Sequence, residues 1–436
     1  MNTDCKYSHV VDPSTYDLRG LCPGMEVRVH NDHKDMDLAV IGALEDWKEL
    51  IGPASPVYKG GGGHPYNSIP ISIPECMPDR LSIVTYATEF AFLQDDSYEG
   101  SFEETSFPTA PNMINEGMTV IDNMNEGRDV NARKIQAWII SKILSIDPIR
   151  GRMALNAWKS FYESNKITGL AAKEVKSTFL KLDSYFKYRL EDLGCQYWTG
   201  MLIFACGLDI PEHELPLCRD LLRPGWVAFT LVNDVCSFDK EVRDAKKNGN
   251  DWMANAIWVI AQEQGVSIEE AKKLGAQMLN DYAAEYLDIM REAKASGKYS
   301  HDFLRFMDGV YWSISGSLAW SVVCPRYNAD KGATFSEQQL DWIKNGIPDH
   351  LRRGDSMKSA AYQLQTGMHL KGLMNDFSFD MKELAQNQKK LALYVEMGGL
   401  IGTLAKLKEW RTRLLSGSIS LLGVVALVRV FYRSQN

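Results

Sequence analysis

The most informative stretch of this chain is Asn233-Asp234-Val235-Cys236-Ser237-Phe238-Asp239-Lys240-Glu241, which follows an apolar, aromatic-rich run over residues 226–232. Its oxygen-bearing side chains Asn233, Ser237 and Glu241 recur every fourth residue, so they share one face of a helix. A single such residue would simply mark a polar helix end. An amide oxygen, a hydroxyl and a carboxylate together are hard ligands of the kind that Mg²⁺ takes. The stretch therefore predicts a magnesium-binding face at the end of an apolar helix.

A second acidic cluster, Asp95-Asp96-Ser97-Tyr98-Glu99, follows another aromatic-rich run over residues 86–93. Asp95 and Glu99 are also four residues apart and share a helical face. Two acidic faces, each at the polar end of an apolar helix, can hold metal ions between them above an apolar pocket. The ligand that this arrangement predicts is a diphosphate carried on a hydrocarbon.

Together these motifs resemble those of class I terpene synthases. Residues 95–99 match the DDxxE form of the family's aspartate-rich motif, and residues 233–241 match its NDxxSxxKE motif. Arg189-Leu190-Glu191-Asp192-Leu193-Gly194 resembles the segment that holds the diphosphate sensor, and residues 320–327 resemble the terminal W…RY motif. The four motifs occur in the family's order, which makes the resemblance specific.

The resemblance implies an all-α fold, a class I terpene synthase-like α-helical bundle around a central apolar pocket. It implies about three Mg²⁺ ions as cofactors. The metal ligands would be Asp95, Asp96, Glu99, Asn233, Ser237 and Glu241, with Asp96 the least important of them. The side chains that would bind the diphosphate are Arg189, Lys240, Arg326 and Tyr327. Within the sensor segment, Asp192 and Gly194 would couple sensing at Arg189 to ionisation of the substrate.

Aromatic side chains are needed beneath the metals, because the carbocation left by the departing diphosphate must be shielded from water and stabilised. Phe92 and Phe229 precede the two motifs by about one helical turn, so we expect both to face the pocket. Trp312, Gly316 and Trp320 are spaced by four and place two indoles on one face, with a gap that leaves room for a long chain. Plain core packing is the alternative for each of these residues.

The composition of the 436 residues, with 45% hydrophobic and 24% charged residues, describes a soluble globular chain with a sizeable core. Its formal net charge of −8 argues against a nucleic-acid partner. The eight cysteines form no CxxC pair and are expected to be reduced thiols. Reduced cysteines predict a cytoplasmic protein, and the first residues show no secretory pattern.

Helical periodicity runs through most of the chain, and no run alternates at period two for long enough to indicate a sheet. The helices are predicted at residues 35–50, 114–146, 153–164, 171–192, 197–206, 218–242, 252–262, 268–293 and 301–323, with another that begins at Pro78 and ends in the first acidic motif. Pro70, Pro74 and Pro78 predict an extended approach to that helix. The glycine run at residues 60–63 lacks the ending of a P-loop and predicts a flexible surface loop.

The four motifs end by Tyr327, so the sequence predicts a class I terpene cyclase domain over residues 1–330. Residues 331–436 form a C-terminal extension, interpreted either as a degenerate prenyltransferase remnant or as a packed helical tail. Within it, residues 414–428 are apolar but shorter than the roughly 20 residues that a spanning helix needs. No stable membrane insertion is expected, although a tail that touches a membrane is the second interpretation.

Within the family, the sequence most resembles the cyclase domains of fungal chimeric di- and sesterterpene synthases. The chain has no elongation domain of its own, so a separate prenyltransferase would supply the substrate. Geranylgeranyl diphosphate and a diterpene product are predicted, with a C25 and then a C15 diphosphate as alternatives. A trans-prenyltransferase, which needs two aspartate-rich motifs, and a non-catalytic isoprenoid-binding protein are the rival classes. The oligomeric state is open, with a homodimer as one arrangement.

Overall fold

The computed structural model describes residues 5–54, 59–98, 128–158, 160–161, 181–247, 249 and 252–351. Within these ranges the fold is all-α, as predicted, with one small addition near the start. A two-stranded antiparallel hairpin pairs β1 (Ser8–Val10) with β2 (Arg28–His30), and Ser8 lies opposite His30. Three residues in each strand are too few to produce a recognisable alternating pattern.

Every predicted helix is present where the structure describes it, with ends that differ by up to five residues, and the one predicted at residues 218–242 is divided into two helices at residues 221–222. Those parts of the predicted helices that cover residues 114–127 and 162–180 lie outside the described residues. In chain order the helices are α1 (Met36–Leu50), α2 (Ser68–Ser72), α3 (Pro78–Tyr98), α4 (Arg128–Ile146), α5 (residues 148–158), α6 (Leu182–Asp192), α7 (Cys195–Ala205), α8 (Leu217–Asp220), α9 (Arg223–Lys247), α10 (Ala256–Gln264), α11 (Ile268–Ser296), α12 (His301–Ser321), α13 (Pro325–Asn328) and α14 (Glu337–Asn345).

Helix α9 occupies the middle of the core and packs against α6, α10, α11, α12 and α13. Its residues 226–232 are all buried, which explains why this part of the sequence is apolar except for Thr230, whose hydroxyl donates to the Trp226 carbonyl at 2.9 Å. Trp226 packs edge-on against Phe229 on its own helix and lies beside Phe306 of α12. Since the polar motif continues the same helix, its side chains begin where this dense core ends.

Side-chain caps fix several of the helix starts that position the site. The hydroxyls of Ser267 and Ser300 accept hydrogen bonds from the third backbone amides of α11 and α12. The Asn255 side chain does the same for α10 by accepting from the amide of Ile257 at 2.9 Å. Such caps satisfy amides that have no partner within the helix, each stabilising it by about 1 kcal/mol.

The approach to α3 differs from the extended segment that its prolines predicted. Residues 68–72 form the short helix α2, in which Pro70 is the third residue. Proline is tolerated in the first turn of a helix because the amide that it lacks would have no helical partner there. The three prolines therefore do not prevent a helical turn, and α2 packs against both α3 and α12.

The glycine run at residues 60–63 is buried, so the prediction of a flexible surface loop is wrong. The Gly61 amide donates to Glu89 Oε2 of α3 at 2.9 Å. A Cβ atom on Gly61 would lie 2.8 Å from Ser68 Oγ and 2.9 Å from the Phe92 ring, and one on Gly62 would lie 2.8 Å from Phe335. The glycines are present because the backbone approaches its neighbours too closely for side chains.

Helix α14 packs on α1 through both polar and apolar contacts. Gln339 donates to Asp37 Oδ1 at 2.8 Å and to the Gly63 carbonyl at 3.0 Å. Trp342 and Ile347 pack in one buried cluster with Val40 and Ile41 of α1. The domain boundary at residue 330 stays a prediction, but structure packed on α1 continues beyond it.

Residue contacts divide the chain into two units, Met1–Gln363 and Leu364–Asn436. Residues 352–436, which include the apolar stretch 414–428, lie outside the described residues. Within the described ranges, no helix is long and apolar enough to cross a membrane. All eight cysteines belong to the described part of the chain, where none forms a disulfide.

Candidate active site

The predicted column on α9 begins with Asn233 and continues through Ser237 and Glu241 on the same helical face. The Ser237 hydroxyl donates to Glu241 Oε1 at 2.6 Å, and Asn255 Nδ2 donates to Glu241 Oε2 at 3.0 Å. Both carboxylate oxygens are therefore already oriented by protein groups. The three oxygen types of this column suit Mg²⁺, and their role as its ligands stays a prediction.

Burial raises the pKa of Glu241 above its ordinary value, partly offset by the nearby Arg189 guanidinium and reinforced by Asp234. A carboxylate in this position gains from a positive ligand, because a cation offsets the cost of keeping a buried negative charge. Among the described side chains, no three His, Cys, Asp or Glu residues form a metal-holding group. The column on α9 offers a single carboxylate, and its other two ligands are neutral.

Arg189 stands in the last turn of α6 and reaches across to α9. Its Nη2 donates to Asn233 Oδ1 at 2.8 Å, although the two residues are 44 positions apart. Burial alone would lower the pKa of Arg189, but Asp234, Tyr185 and Asp192 raise it well above the ordinary value. The guanidinium therefore stays charged next to the first residue of the column.

Asp192 and Gly194 lie at the break between α6 and α7. Asp192 accepts hydrogen bonds from Arg189 Nη1 and, at 2.8 Å, from the Tyr188 hydroxyl. Gly194 has a φ of +78°, in the left-handed region that favours glycine, and a Cβ there would lie 3.0 Å from the Phe161 ring. The glycine lets α6 end directly after Asp192, so that Arg189 and Asp192 project together.

The terminal motif reaches the column from α13. Tyr327 accepts a hydrogen bond from Asn233 Nδ2 at 2.9 Å, and burial raises its pKa, so the hydroxyl stays protonated. This contact directs the amide nitrogen of Asn233 toward Tyr327 and its oxygen toward Arg189. Arg326, the neighbouring residue, forms a two-bond pair with Asp96 of α3 at 2.8 and 2.7 Å.

The second acidic motif is described in part. Asp96 contacts Arg326, a predicted diphosphate-binding residue, so the structure brings the DDxxE motif and the terminal motif together. The side chain of Asp95 and the whole of Glu99 lie outside the described residues. Lys240, the remaining predicted cation, pairs with Asp244 of its own helix at 3.0 Å.

Aromatic rings surround the contact between α3 and α13. Phe92 stacks on Trp320 with ring centroids 6.1 Å apart, and the Arg326 guanidinium lies 4.8 Å from the centre of the Phe92 ring. Tyr327 meets Trp320 edge-on at 5.6 Å. Phe92, Trp320 and Tyr327 thus form one group beside the predicted diphosphate-binding residues, although their place in a pocket stays a prediction.

Phe229 and Trp312 are both buried in the main core. Phe229 lies 5.3 Å from the ring of Trp198 in α7, and the Trp198 indole donates to Ser313 Oγ of α12 at 2.8 Å. The prediction did not include Trp198. Trp198 lies four residues after Gly194. This spacing from the sensor segment is the sequence signal that could have identified it.

Gly316 does not leave the gap in α12 that its size predicted. A Cβ on Gly316 would lie 1.8 Å from the Ile71 carbonyl oxygen and 2.9 Å from Ser72 Cα. The missing side chain is thus replaced by the backbone of α2, and the prediction of Gly316 as a pocket residue is wrong. Replacement by Phe would collide with main-chain atoms, whereas the prediction assumed that a ring would fill open space.

Three polar residues of the site were missed by the sequence reasoning: Tyr185, Asp234 and Asn255. Asp234 is fully buried and holds Arg189 by two hydrogen bonds, and Tyr185 donates to the same carboxylate at 2.5 Å. Signals for these two were present, since Asp234 lies inside the quoted motif and Tyr185 is one turn before Arg189. Asn255 has only the signature of a helix cap.

The matched family model is terpene synthase family 2, C-terminal metal binding, over residues 86–285. The chain is 38% identical over 349 residues to a bifunctional sesterterpene synthase of Aspergillus aculeatus. It is 35% identical over 347 residues to the bifunctional type I diterpene synthase tndC of Aspergillus flavipes. The chain carries a class I terpene synthase domain. Each alignment covers 79% of this chain but only 47% and 44% of the two relatives, so the chain spans about half their length.

The fold of the terpene synthase domain is also similar to a crystal structure of a mutant SVS_A2 protein, obtained by ancestral sequence reconstruction. The TM-score is 0.50 at 17% sequence identity, and the match covers 73% of this chain and 90% of that chain. At this identity the similarity concerns the fold alone. It agrees with the helical architecture that the periodicity predicted.

Proposed function

We propose that this chain is a Mg²⁺-dependent terpene synthase, which ionises a linear prenyl diphosphate, cyclises the resulting carbocation and releases diphosphate. The observation that carries the proposal is the convergence of Arg189, Asn233 and Tyr327 from three different helices on one hydrogen-bonded cluster. A charged guanidinium beside an oxygen ligand column is what a leaving diphosphate requires. A protein that merely bound an isoprenoid would gain nothing from burying these polar groups.

The column on α9, together with Asp95, Asp96 and Glu99, would hold the magnesium ions. When bound, the ions neutralise the charge that develops on the leaving diphosphate. Arg189 donates to Asn233 Oδ1 and Tyr327 accepts from Asn233 Nδ2, and each would turn a further donor toward the bound anion. The planar fork of Arg326, which pairs with Asp96, matches phosphate oxygens equally well.

The aromatic side chains have a separate task. Phe92 presents a ring face to Arg326 and stacks on Trp320, and Phe229 and Trp198 form a second pair in the main core. A desolvated aromatic face stabilises a cation by about 2 kcal/mol. Rings that flank the diphosphate-binding residues would therefore shield and steer the carbocation as it forms.

For the substrate we propose geranylgeranyl diphosphate, with a diterpene as the product. Relatives whose names specify a diterpene synthase and a sesterterpene synthase match the chain at 35% and 38% identity, which supports C20 and C25 substrates over C15. The predicted room at Gly316 no longer supports a long chain. A C25 diphosphate is the second candidate.

The test is a competition assay in which the purified chain receives equal concentrations of C15, C20 and C25 prenyl diphosphates with Mg²⁺. Extracted hydrocarbons are identified by mass spectrometry, and a parallel reaction contains EDTA. We expect a cyclic C20 hydrocarbon as the main product and none with EDTA. Dominant C15 or C25 turnover would overturn the substrate proposal. Longer linear diphosphates formed after addition of isopentenyl diphosphate would instead indicate a prenyltransferase.

A further inference from the structure

Asp234 has a hydrogen-bonding arrangement that the magnesium column does not explain. It follows Asn233 directly, so its side chain points about 100° away from the column on α9. The carboxylate is fully buried. One oxygen accepts from Arg189 Nε at 3.0 Å and Nη2 at 2.9 Å. The other oxygen accepts from the Tyr185 hydroxyl at 2.5 Å and the Ala256 amide at 2.9 Å.

The second pair of donors fixes the carboxylate without help from Arg189. Ala256 is the first residue of α10, whose amino-terminal amides point along the helix axis and favour a negative charge. Tyr185 donates from α6, one turn before Arg189, and also contacts the Ala254 carbonyl at 3.2 Å. A buried carboxylate held by two fixed donors keeps its orientation. The plane of the Arg189 guanidinium must then follow that orientation.

The hydrogen bonds of Arg189 show how many of its N–H groups remain for the substrate. A guanidinium has five N–H groups, and Asp234, Asn233 and Asp192 accept four of them. One N–H on Nη1 has no acceptor among the residues that the structure describes. Its direction is set by the edge of the guanidinium that Asp234 holds, because the group is planar.

We propose that Asp234, fixed by Tyr185 and the start of α10, is a positioning residue that aims the remaining Arg189 N–H at the substrate diphosphate. Asp234 does not touch the substrate and acts only through Arg189. The inference rests on the proposed function, because the anion that Arg189 meets is the diphosphate of that reaction. Beyond that function, it identifies the residues that fix the orientation of the Arg189 guanidinium.

The first measurement uses Tyr185→Phe, which removes one hydroxyl and no charge. Losing one hydrogen bond to a charged group corresponds to about a tenfold effect, so we expect kcat to fall about tenfold. KM should change less than about threefold, because binding groups on the substrate are untouched. Unchanged kcat in Tyr185→Phe would overturn the proposal. This mild variant also decides the question if Asp234→Asn does not fold.

The second measurement is a double-mutant cycle with Asp234→Asn and Arg189→Lys. Lys keeps the positive charge but lacks the planar fork. We expect Asp234→Asn to lower kcat at least about 100-fold beside Arg189, and less than about threefold beside the lysine. Equal factors in both backgrounds would mean that Asp234 acts through general stability, which overturns the positioning role. Asp239→Asn is the matched control, since Asp239 is on the same helix in an exposed pair with Lys272 and should leave kcat within about twofold.

The third measurement is calorimetric binding of inorganic diphosphate in the presence of Mg²⁺. Removing a negative charge near the site should tighten anion binding if Asp234 matters only through its charge. If Asp234 positions Arg189, the Asp234→Asn protein should bind diphosphate several-fold more weakly. Tighter binding would overturn the inference. If the unmutated protein forms no product, the proposed function fails, and this binding arm still decides the positioning role by itself.

Discussion

Two helices of this protein carry a residue pattern with the same period but different outcomes. On α9, Asn233, Ser237 and Glu241 recur every fourth residue and are joined to Arg189, Tyr327 and Asn255 by hydrogen bonds. On α12, Trp312, Gly316 and Trp320 have the same spacing, but Gly316 is pressed against the backbone of α2. A period shows which side chains share a face, and it does not show what lies opposite that face.

The chemistry of the side chains accounts for the difference. A buried amide and carboxylate must find partners, so the polar face on α9 implies complementary groups nearby. A glycine between two indoles makes no such demand, because a gap on a helix surface is filled equally well by a ligand or by another chain segment. Polar faces are therefore better guides to a site than apolar ones.

The largest effect is expected from Asn233→Ala, which breaks the polar face at its first residue. The substitution removes a predicted metal ligand and one of the two acceptors of Arg189 Nη2. Turnover should fall at least about 1,000-fold, which corresponds to about 4 kcal/mol of lost transition-state stabilisation. The measurement is kcat/KM with geranylgeranyl diphosphate and Mg²⁺, alongside circular dichroism to confirm the fold.

Asn345→Ala is the control for that experiment, because Asn345 is an exposed helix-end asparagine that bonds Asp341 of α14. It should leave turnover unchanged. Turnover of Asn233→Ala within tenfold of the unmutated protein would remove the column on α9 from the catalytic machinery.

The apolar face is tested by Gly316→Ala. A methyl group 1.8 Å from the Ile71 carbonyl must displace main-chain atoms, so the free energy of unfolding should fall by about 3 kcal/mol or more. Gly309→Ala on the same helix is the matched control. Its Cβ would lie 3.3 Å from a flexible end of Leu202, and alanine favours the helix by about 1 kcal/mol.

Urea denaturation of the two glycine variants gives the comparison directly. A stable Gly316→Ala protein that accepts shorter substrates would restore the view that Gly316 faces a pocket. Equal stability of the two variants would show that α2 can move away from α12 at little cost.

A smaller effect is expected from pH. In the metal-free protein the raised pKa of Glu241 means that the folded state holds its proton more tightly than the unfolded state. Stability is therefore lost as pH rises from the ordinary value of 4.5 through the raised value. Mg²⁺ must displace that proton from Glu241. The amount by which Mg²⁺ raises the free energy of unfolding should therefore increase over the same pH range, reaching about 2.7 kcal/mol at 100 times the Kd of the ion.

Thermal denaturation with and without Mg²⁺ from pH 5 to pH 8 measures this dependence. Glu241→Gln cannot titrate, so the increase in Mg²⁺ stabilisation with pH should disappear in that variant. If the increase persists in Glu241→Gln, another group controls binding of the ion.

The smallest effect is expected from Trp320→Phe. The indole packs against Phe92 and Tyr327, and among the described residues its Nε1 has no hydrogen-bond partner, so no hydrogen bond within that set is lost. Stability should fall by about 1 kcal/mol, with turnover changed less than about threefold. Gas chromatography of the products gives the sharper result, since an altered product ratio would place Trp320 in the pocket lining.

Much of the fold could be predicted because its helices are long and strongly periodic. The bounds of α11 and α12 were close to those observed, whereas α9 is displaced by five residues at each end from the predicted 218–242. Short elements could not be predicted in this way. The turn of helix α2 and the hairpin of β1 and β2 contain too few residues for a period to show.

The remaining errors concern contacts between distant parts of the chain. The burial of Gly62 depends on Phe335, and the role of Asn255 depends on Glu241 being within reach. The sequence does not distinguish a buried glycine or helix-capping asparagine from one at the surface. Such positions are decided by tertiary packing, which local patterns do not encode.

Because α14 and Ile347 bury the apolar face of α1, that face lacks its final packing partners during most of the synthesis of the protein. Val40 and Ile41 are made early, but Trp342 and Ile347, which bury them, follow about 300 residues later. At roughly 5–20 residues per second this delay lasts about 15–60 s. During that time the apolar face of the first long helix needs another cover, from the nascent chain or from a chaperone. The helix made first is therefore among the last to be completed.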